Sequence, residues 1–123
     1  MVTLEKIDTL DKQLISILGT EWTIEVHEDD EESNHLKDVD ALGCNYCDKK
    51  IITIDRNEIS SSEALRCILR HEILHSFLYE SGLDANSFEL NDGDAWALNE
   101  EMVDWFAIQS PKIFKVYKEV GVI

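Results

Sequence analysis

From Ser60 to Gly82 the chain reads SSSEALRCILRHEILHSFLYESG. Ser60 and Glu63 have the spacing of a capping box, which favours the start of a helix at this point. Apolar side chains then recur at intervals of three and four residues, and Gly82 has the position of a helix stop. These apolar residues are Leu65, Ile68, Leu69, Ile73, Phe77 and Leu78. The stretch therefore predicts one long amphipathic helix whose apolar face the rest of the fold must cover.

Two histidines and a glutamate lie inside this predicted helix. His71 and His75 are four residues apart, so both imidazoles lie on one helical face and can reach a single metal ion. Glu72 lies on a neighbouring part of the helix, where it can take a proton from water without being a ligand itself. This spacing is typical of a zinc hydrolase with Glu72 as general base. A buried helix that happens to carry these polar residues is the alternative.

A catalytic zinc ion takes three protein ligands and leaves one position open. An apolar pattern that starts near Asp94 predicts a second helix, in which Glu100 and Asp104 are four residues apart. We predict that Glu100 is the third ligand and that Asp104 accepts the Nδ1 hydrogen of a ligating imidazole. Glu101 is the main competitor for the ligand position. Acidic residues on a helix are usually solvated surface, and these gain weight because they follow the histidines in an apolar context.

The first quarter of the chain changes from one periodicity to another. Residues 4–18 carry apolar side chains at helical intervals, and Gly19 follows as a stop, so we predict a first helix. Residues 22–26 alternate apolar and polar side chains, which is typical of a half-buried strand. Burying the acidic run over residues 28–32 would be costly, and we expect an exposed loop there.

The remaining segments predict a hairpin and a break in the second helix. Alternation over residues 42–46 and a β-branched run over residues 51–54 indicate two paired strands. We expect residues 51–54 to form the edge of the sheet, where an extended peptide can add. Pro111 is expected to end the second helix or to begin a terminal one. Together these elements predict a single α+β domain over residues 1–123, with a three-stranded antiparallel sheet packed against helices.

Composition narrows the class of function. The formal net charge of -15 disfavours nucleic acid and anionic membranes as partners, and leaves protein, peptide or cationic partners. The sequence contains no apolar stretch of membrane-spanning length and no basic region followed by an apolar core at its start. Three cysteines without such a leader favour reduced thiols, so we expect a soluble, cytoplasmic protein.

The cysteines offer two alternative metal sites. Cys44 and Cys47 have the spacing of half a zinc knuckle, although small hydrophobic residues in a hairpin explain the pair more simply. Cys67, His71 and His75 form one helical stripe that could hold a structural zinc ion with one further ligand. A structural site, however, has no need of Glu72.

Two stretches of the chain resemble the motifs of a known family. Residues 71–75, HEILH, and residues 99–107, NEEMVDWFA, are similar to the two motifs of the gluzincin metallopeptidases. The small ImmA/IrrE-type proteins of bacteria, prophages and mobile elements are the nearest in form, and Glu100, Asp104 and Phe106-Ala107 fit their second motif. The resemblance implies a minimal zincin-like domain with zinc as cofactor. It further implies hydrolysis of a peptide bond in an intracellular, repressor-like protein.

A second class of function fits the same residues. This alternative is a zinc-containing binding module of zincin fold with little or no proteolytic turnover, such as an interaction protein of a phage or mobile element. Members of the family often carry glycine before the second histidine and a Glu-Ala pair before the Asp or Asn. This chain has Leu74 and Met102-Val103 at those places.

Overall fold

The structure is a computed structural model that describes residues 1–28, 42–82 and 100–123, with no side-chain description at positions 100, 101, 103, 104 and 107. The expectations for residues 29–32 and for the start of the second helix near Asp94 lie outside the described residues. Within them, the chain begins with a short 3-10 helix, Leu4–Leu10. The strands are β1 (Leu14–Ile17), β2 (Thr20–His27), β3 (Gly43–Tyr46) and β4 (Ile51–Asp55), and the α-helices are α1 (Ser62–Glu80) and α2 (Glu100–Val120).

The described strands form one mixed sheet in the order β1-β2-β4-β3. β1 with β2 and β3 with β4 are antiparallel pairs, while β2 and β4 are parallel. The predicted α+β class is confirmed, but the prediction of a three-stranded antiparallel sheet is wrong. The expectation of an edge strand at residues 51–54 is also wrong, because β4 lies between two partners. Among the described strands, β1 and β3 are at the edges.

The segment predicted as the first helix is helical only in its first part, and its second part belongs to a β-hairpin. Only Leu4–Leu10 is helical, and β1 follows with buried Ile15 and Ile17 on one face. Leu18 and Gly19 both have positive φ, at 49° and 90°. Two such residues between antiparallel strands form the tight turn that suits the right-handed twist of a hairpin. Gly19 therefore serves this turn and does not stop a helix.

The predicted hairpin and central helix are present. β3 pairs with β4 as expected. Helix α1 begins at Ser62, where the Oγ of the N-cap residue Ser61 accepts a hydrogen bond from the Ala64 N–H at 3.1 Å. The cap is thus one residue later than the predicted Ser60. Gly82 follows the end of the helix with a φ of 78°, which glycine adopts at little cost.

The core lies between one face of the sheet and the two helices. Burying each large aliphatic side chain stabilises the fold by about 1.5–3 kcal/mol, which holds α1 against the sheet along its whole length. The fully buried residues include Trp22, Ile24, Ile52 and Ile54 from the sheet, Leu65, Leu69 and Ile73 from α1, and Ile113 from α2.

Helix α2 continues through Pro111, so the expectation that this proline ends or begins a helix is wrong. The proline costs one main-chain hydrogen bond, and packing of the flanking residues against the core outweighs that loss. The Trp105 indole donates to Ser81 Oγ at 2.9 Å, and the Tyr117 hydroxyl donates to the Arg70 carbonyl at 2.9 Å. The two helices are therefore antiparallel. Neither described helix is long and apolar enough to cross a membrane.

The two ends of the described chain meet beside α1. The Val2 N–H donates to the Gly121 carbonyl at 2.6 Å. Arg66 donates to the Val2 carbonyl at 3.0 Å, and Arg70 donates to the Val122 carbonyl at 2.8 Å. Helix α1 thus holds both ends by side chains that lie one turn apart.

Candidate metal centre

The two histidines of α1 converge. Their Nε2 atoms are 3.1 Å apart, and the ring centroids are 4.7 Å apart with an interplanar angle of 74°. Two imidazole nitrogens on one tetrahedral zinc ion, each bound at about 2.0–2.1 Å, lie about 3.3 Å from each other. The observed distance therefore suits a shared metal ion, and it also suits an N–H···N hydrogen bond between the rings. His71 is exposed and His75 is half-buried, so solvent reaches the pair.

Glu72 lies against the edge strand β3. Its relative exposure is 7%, and its side chain lies close to Gly43. A Cβ placed on Gly43 would lie 3.3 Å from Glu72 Cγ and 3.5 Å from Glu72 Oε1. No described residue donates a hydrogen bond to this carboxylate. Burial raises the pKa of Glu72, and the charge of His71 offsets part of that increase.

Gly43 fits its position because it has no side chain. A Cβ there would come within 2.8 Å of Ile68 Cγ2, closer than carbon atoms approach in folded proteins. The backbone of β3 can therefore lie directly on α1 at the turn that carries Glu72. This close approach explains how the glutamate becomes buried while the neighbouring His71 stays exposed.

Asn45 joins β3 to the same part of α1. Its Nδ2 donates to the Glu72 carbonyl at 2.9 Å and to Ser76 Oγ at 2.8 Å. The Ser76 hydroxyl in turn donates to the Glu72 carbonyl at 3.3 Å. Asn45 is not among the site residues predicted from the sequence. Asparagine is depleted in strands, so an asparagine inside the predicted hairpin was the available signal.

The described residues give little support to the two alternative metal sites that contain cysteine. Burial raises the pKa of the Cys44 thiol, and the nearby Glu72 charge raises it further, so this thiol stays protonated. The Cys47 thiol donates to Asn45 Oδ1 at 2.8 Å. Among the side chains that the structure describes, no three His, Cys, Asp or Glu groups lie close enough to hold a metal ion. That set includes Cys67, so the predicted stripe of Cys67, His71 and His75 does not converge.

The predicted third ligand, Glu100, is not among the side chains just considered. The side chains of Glu100, Glu101 and Asp104 are not among those described, so their roles stay predictions. A side-chain hydrogen bond does set a register: the Trp105 indole donates to Ser81 Oγ, about two helical turns beyond His75. Because the helices are antiparallel, this bond does not bring the first turn of α2 level with the histidines. The third ligand therefore needs its own test.

In comparisons with known proteins, no family model, no curated protein and no solved structure matches the chain. The site must be interpreted from its own chemistry.

Proposed function

We propose that the chain is a zinc-dependent metalloendopeptidase of minimal zincin-like fold that acts on a protein or peptide substrate inside the cell. Its zinc ligands are His71 and His75 from α1 and Glu100 from α2, with Asp104 supporting an imidazole. Glu72 is the general base. The observation that carries the proposal is the convergence of two solvent-accessible imidazole nitrogens at 3.1 Å beside a buried carboxylate.

The donor set suits zinc, which binds neutral imidazoles and carboxylates and keeps an open position in catalytic sites. Zinc bound there would supply a Lewis acid that polarises a peptide carbonyl and lowers the pKa of water toward neutrality. Glu72 takes the proton of the attacking water on a carboxylate oxygen and then passes it to the leaving amine. Burial raises the pKa of Glu72, so its carboxylate binds a proton more readily than that of an exposed glutamate.

The sheet offers a place for the substrate. Among the described strands only β4 pairs with β3, so β3 is an edge strand of the described sheet, beside Glu72. An extended peptide can add to such an edge as a further strand. The substrate would then run past the two histidines. The net charge of -15 favours neutral or cationic substrate segments over acidic ones.

Purified protein provides the test. We expect about one zinc ion per chain by elemental analysis, and we expect cleavage of an unfolded protein, detected as new termini by mass spectrometry. Removal of zinc with a chelator should stop cleavage, and added zinc should restore it. Glu72→Gln should keep zinc and lose cleavage. A wild-type protein that holds zinc and cleaves no unfolded or repressor-like protein would instead support the binding module.

A further inference from the structure

Every polar atom of the Asn45 side chain makes a hydrogen bond, and its amide nitrogen bonds to helix α1. Both Nδ2 hydrogens are used, one on the Glu72 carbonyl at 2.9 Å and one on Ser76 Oγ at 2.8 Å. Its Oδ1 accepts from the Cys47 thiol at 2.8 Å. The two acceptors and the one donor around the amide agree with this assignment of its nitrogen and oxygen. The side chain is therefore fixed in one orientation between β3 and α1.

These bonds fall on the turn that carries the proposed chemistry. The Glu72 carbonyl lies in the backbone between His71 and His75, and Ser76 directly follows His75. Ser76 is fully buried, and its hydroxyl also donates to the Glu72 carbonyl. Asn45 and Ser76 thus meet on one main-chain oxygen. That oxygen belongs to the residue we propose as the base.

Gly43 allows β3 to approach α1 closely at this contact. It precedes Asn45 by two residues, so both face α1 from the same side of β3. Without a side chain at position 43, the strand backbone lies against Glu72 and Ile68. Gly43 sets how near the strand comes to the helix, while the amide of Asn45 sets where along the helix it stops.

We propose that Asn45 is a positioning residue for the zinc peptidase site, a role that rests on the proposed function. It does not touch the substrate or the reacting atoms. It fixes the turn from His71 to Ser76 against β3, so that the two imidazoles and Glu72 keep their mutual placement. Displacement of such groups by about 1 Å lowers turnover by as much as a hundredfold, and loss of a supporting hydrogen bond lowers metal affinity about 10- to 100-fold.

Two substitutions separate the donor from the shape of the side chain. Asn45→Asp keeps the size and removes both N–H donors, and it places a carboxylate against the Glu72 carbonyl. Asn45→Ala removes the side chain. Glu80→Ala is the matched control, because it also removes hydrogen bonds between α1 and the sheet, but at the far end of the helix.

The first measurement is zinc affinity, by competition with a chromogenic chelator, alongside the midpoint of unfolding. We expect both Asn45 variants to bind zinc about tenfold or more weakly than the wild type. Glu80→Ala should lose comparable stability and keep its zinc affinity within about twofold. In peptide cleavage, the Asn45 variants should lose kcat about tenfold or more at saturating zinc, with KM little changed.

Each result decides one of the two proposals. Asn45 variants with wild-type zinc affinity and wild-type kcat would overturn the role of Asn45 and leave the peptidase intact. Equal losses of zinc affinity in Asn45→Asp and Glu80→Ala would also overturn it, because stability alone would then explain them. A wild-type protein that binds zinc without cleaving would overturn the peptidase, while weaker zinc binding by the Asn45 variants would still support the positioning role. A wild-type protein that binds no zinc overturns both.

Discussion

Glu72 and Glu80 are about two turns apart on the same helix, and their surroundings differ in one respect. The Glu80 carboxylate accepts hydrogen bonds from Trp22 Nε1 at 2.9 Å and from Thr20 Oγ1 at 3.3 Å. It also pairs with Lys50 Nζ at 3.1 Å. The Glu72 carboxylate is buried beside Gly43 without a donor among the described residues.

The pKa of each carboxyl group follows from this difference. Burial alone would raise the pKa of Glu80, but bonds from Lys50, Trp22 and Thr20 and the charge of Lys50 outweigh it and lower the pKa. For Glu72, burial raises the pKa, and the charge of His71 offsets only part of the increase. A carboxylate with its donors in place stabilises the fold. One without them costs stability and remains free to exchange protons.

The largest expected effect separates the two glutamates by activity. Glu72→Gln should lower kcat for peptide cleavage by about 10²–10⁴-fold, because the general base is lost. Its unfolding temperature should not fall, since the neutral amide is easier to bury than the carboxylate. Glu80→Gln should keep kcat and lower the unfolding temperature. Comparable losses of kcat in both variants would break the distinction.

The third acidic position to compare is on α2. Glu100→Ala should weaken zinc binding about tenfold or more, measured by chelator competition, because a ligand is removed. Glu101→Ala serves as its neighbour control and should bind zinc as the wild type does. The reverse outcome would assign the ligand to Glu101. Unchanged zinc affinity in both variants would mean that α2 supplies no ligand, in line with the register set by Trp105 and Ser81.

Gly43→Ala tests the close approach that buries Glu72. The added methyl group would meet Ile68 Cγ2 at 2.8 Å, so the Ile68 side chain or the strand must shift. We expect a loss of about 1–3 kcal/mol in the free energy of unfolding, as for other overpacked sites. Chemical denaturation measures it. An alanine that leaves stability unchanged would show that β3 yields easily, and the buried state of Glu72 would then lose its structural cause.

The smallest expected effect is a pH dependence from Glu80. Its folded-state pKa lies below its ordinary value of 4.5, so its stabilising contribution is present above that pH. The contribution is lost as the pH falls below 4.5 and through the lowered folded-state pKa. The free energy of unfolding should therefore fall less between neutral and acidic pH in Glu80→Gln than in the wild type. Identical slopes would exclude Glu80 as a source of acid sensitivity.

How far the sequence predicts this molecule depends on how local each feature is. The bounds of α1 follow from its apolar period, its serine cap and Gly82, all of which act within a few residues. The β3–β4 hairpin is likewise local. By contrast, the β1–β2 turn needs a positive φ at Leu18, and a leucine gives no sequence signal for that conformation. In addition, the spacing of Leu14, Ile17 and Leu18 is the spacing expected of a helix.

Features that depend on distant pairing were not predictable. The parallel contact of β2 with β4 decides which strand is at the edge, and it joins segments separated by a long crossover. The spacing of His71 and His75 predicted that both lie on one helical face. The contact with β3 that buries Glu72 could not be predicted from the sequence. Asn45 acts across 27 positions in sequence, and no periodicity connects it with Glu72.

The hydrogen bond between Val2 and Gly121 closes the described polypeptide into a near-continuous ring. A circular permutant that links these neighbouring residues through a short spacer and opens at the Leu18–Gly19 turn would keep every described strand and both described α-helices intact. The order in which segments emerge during synthesis would change, while the groups that surround His71 would stay the same.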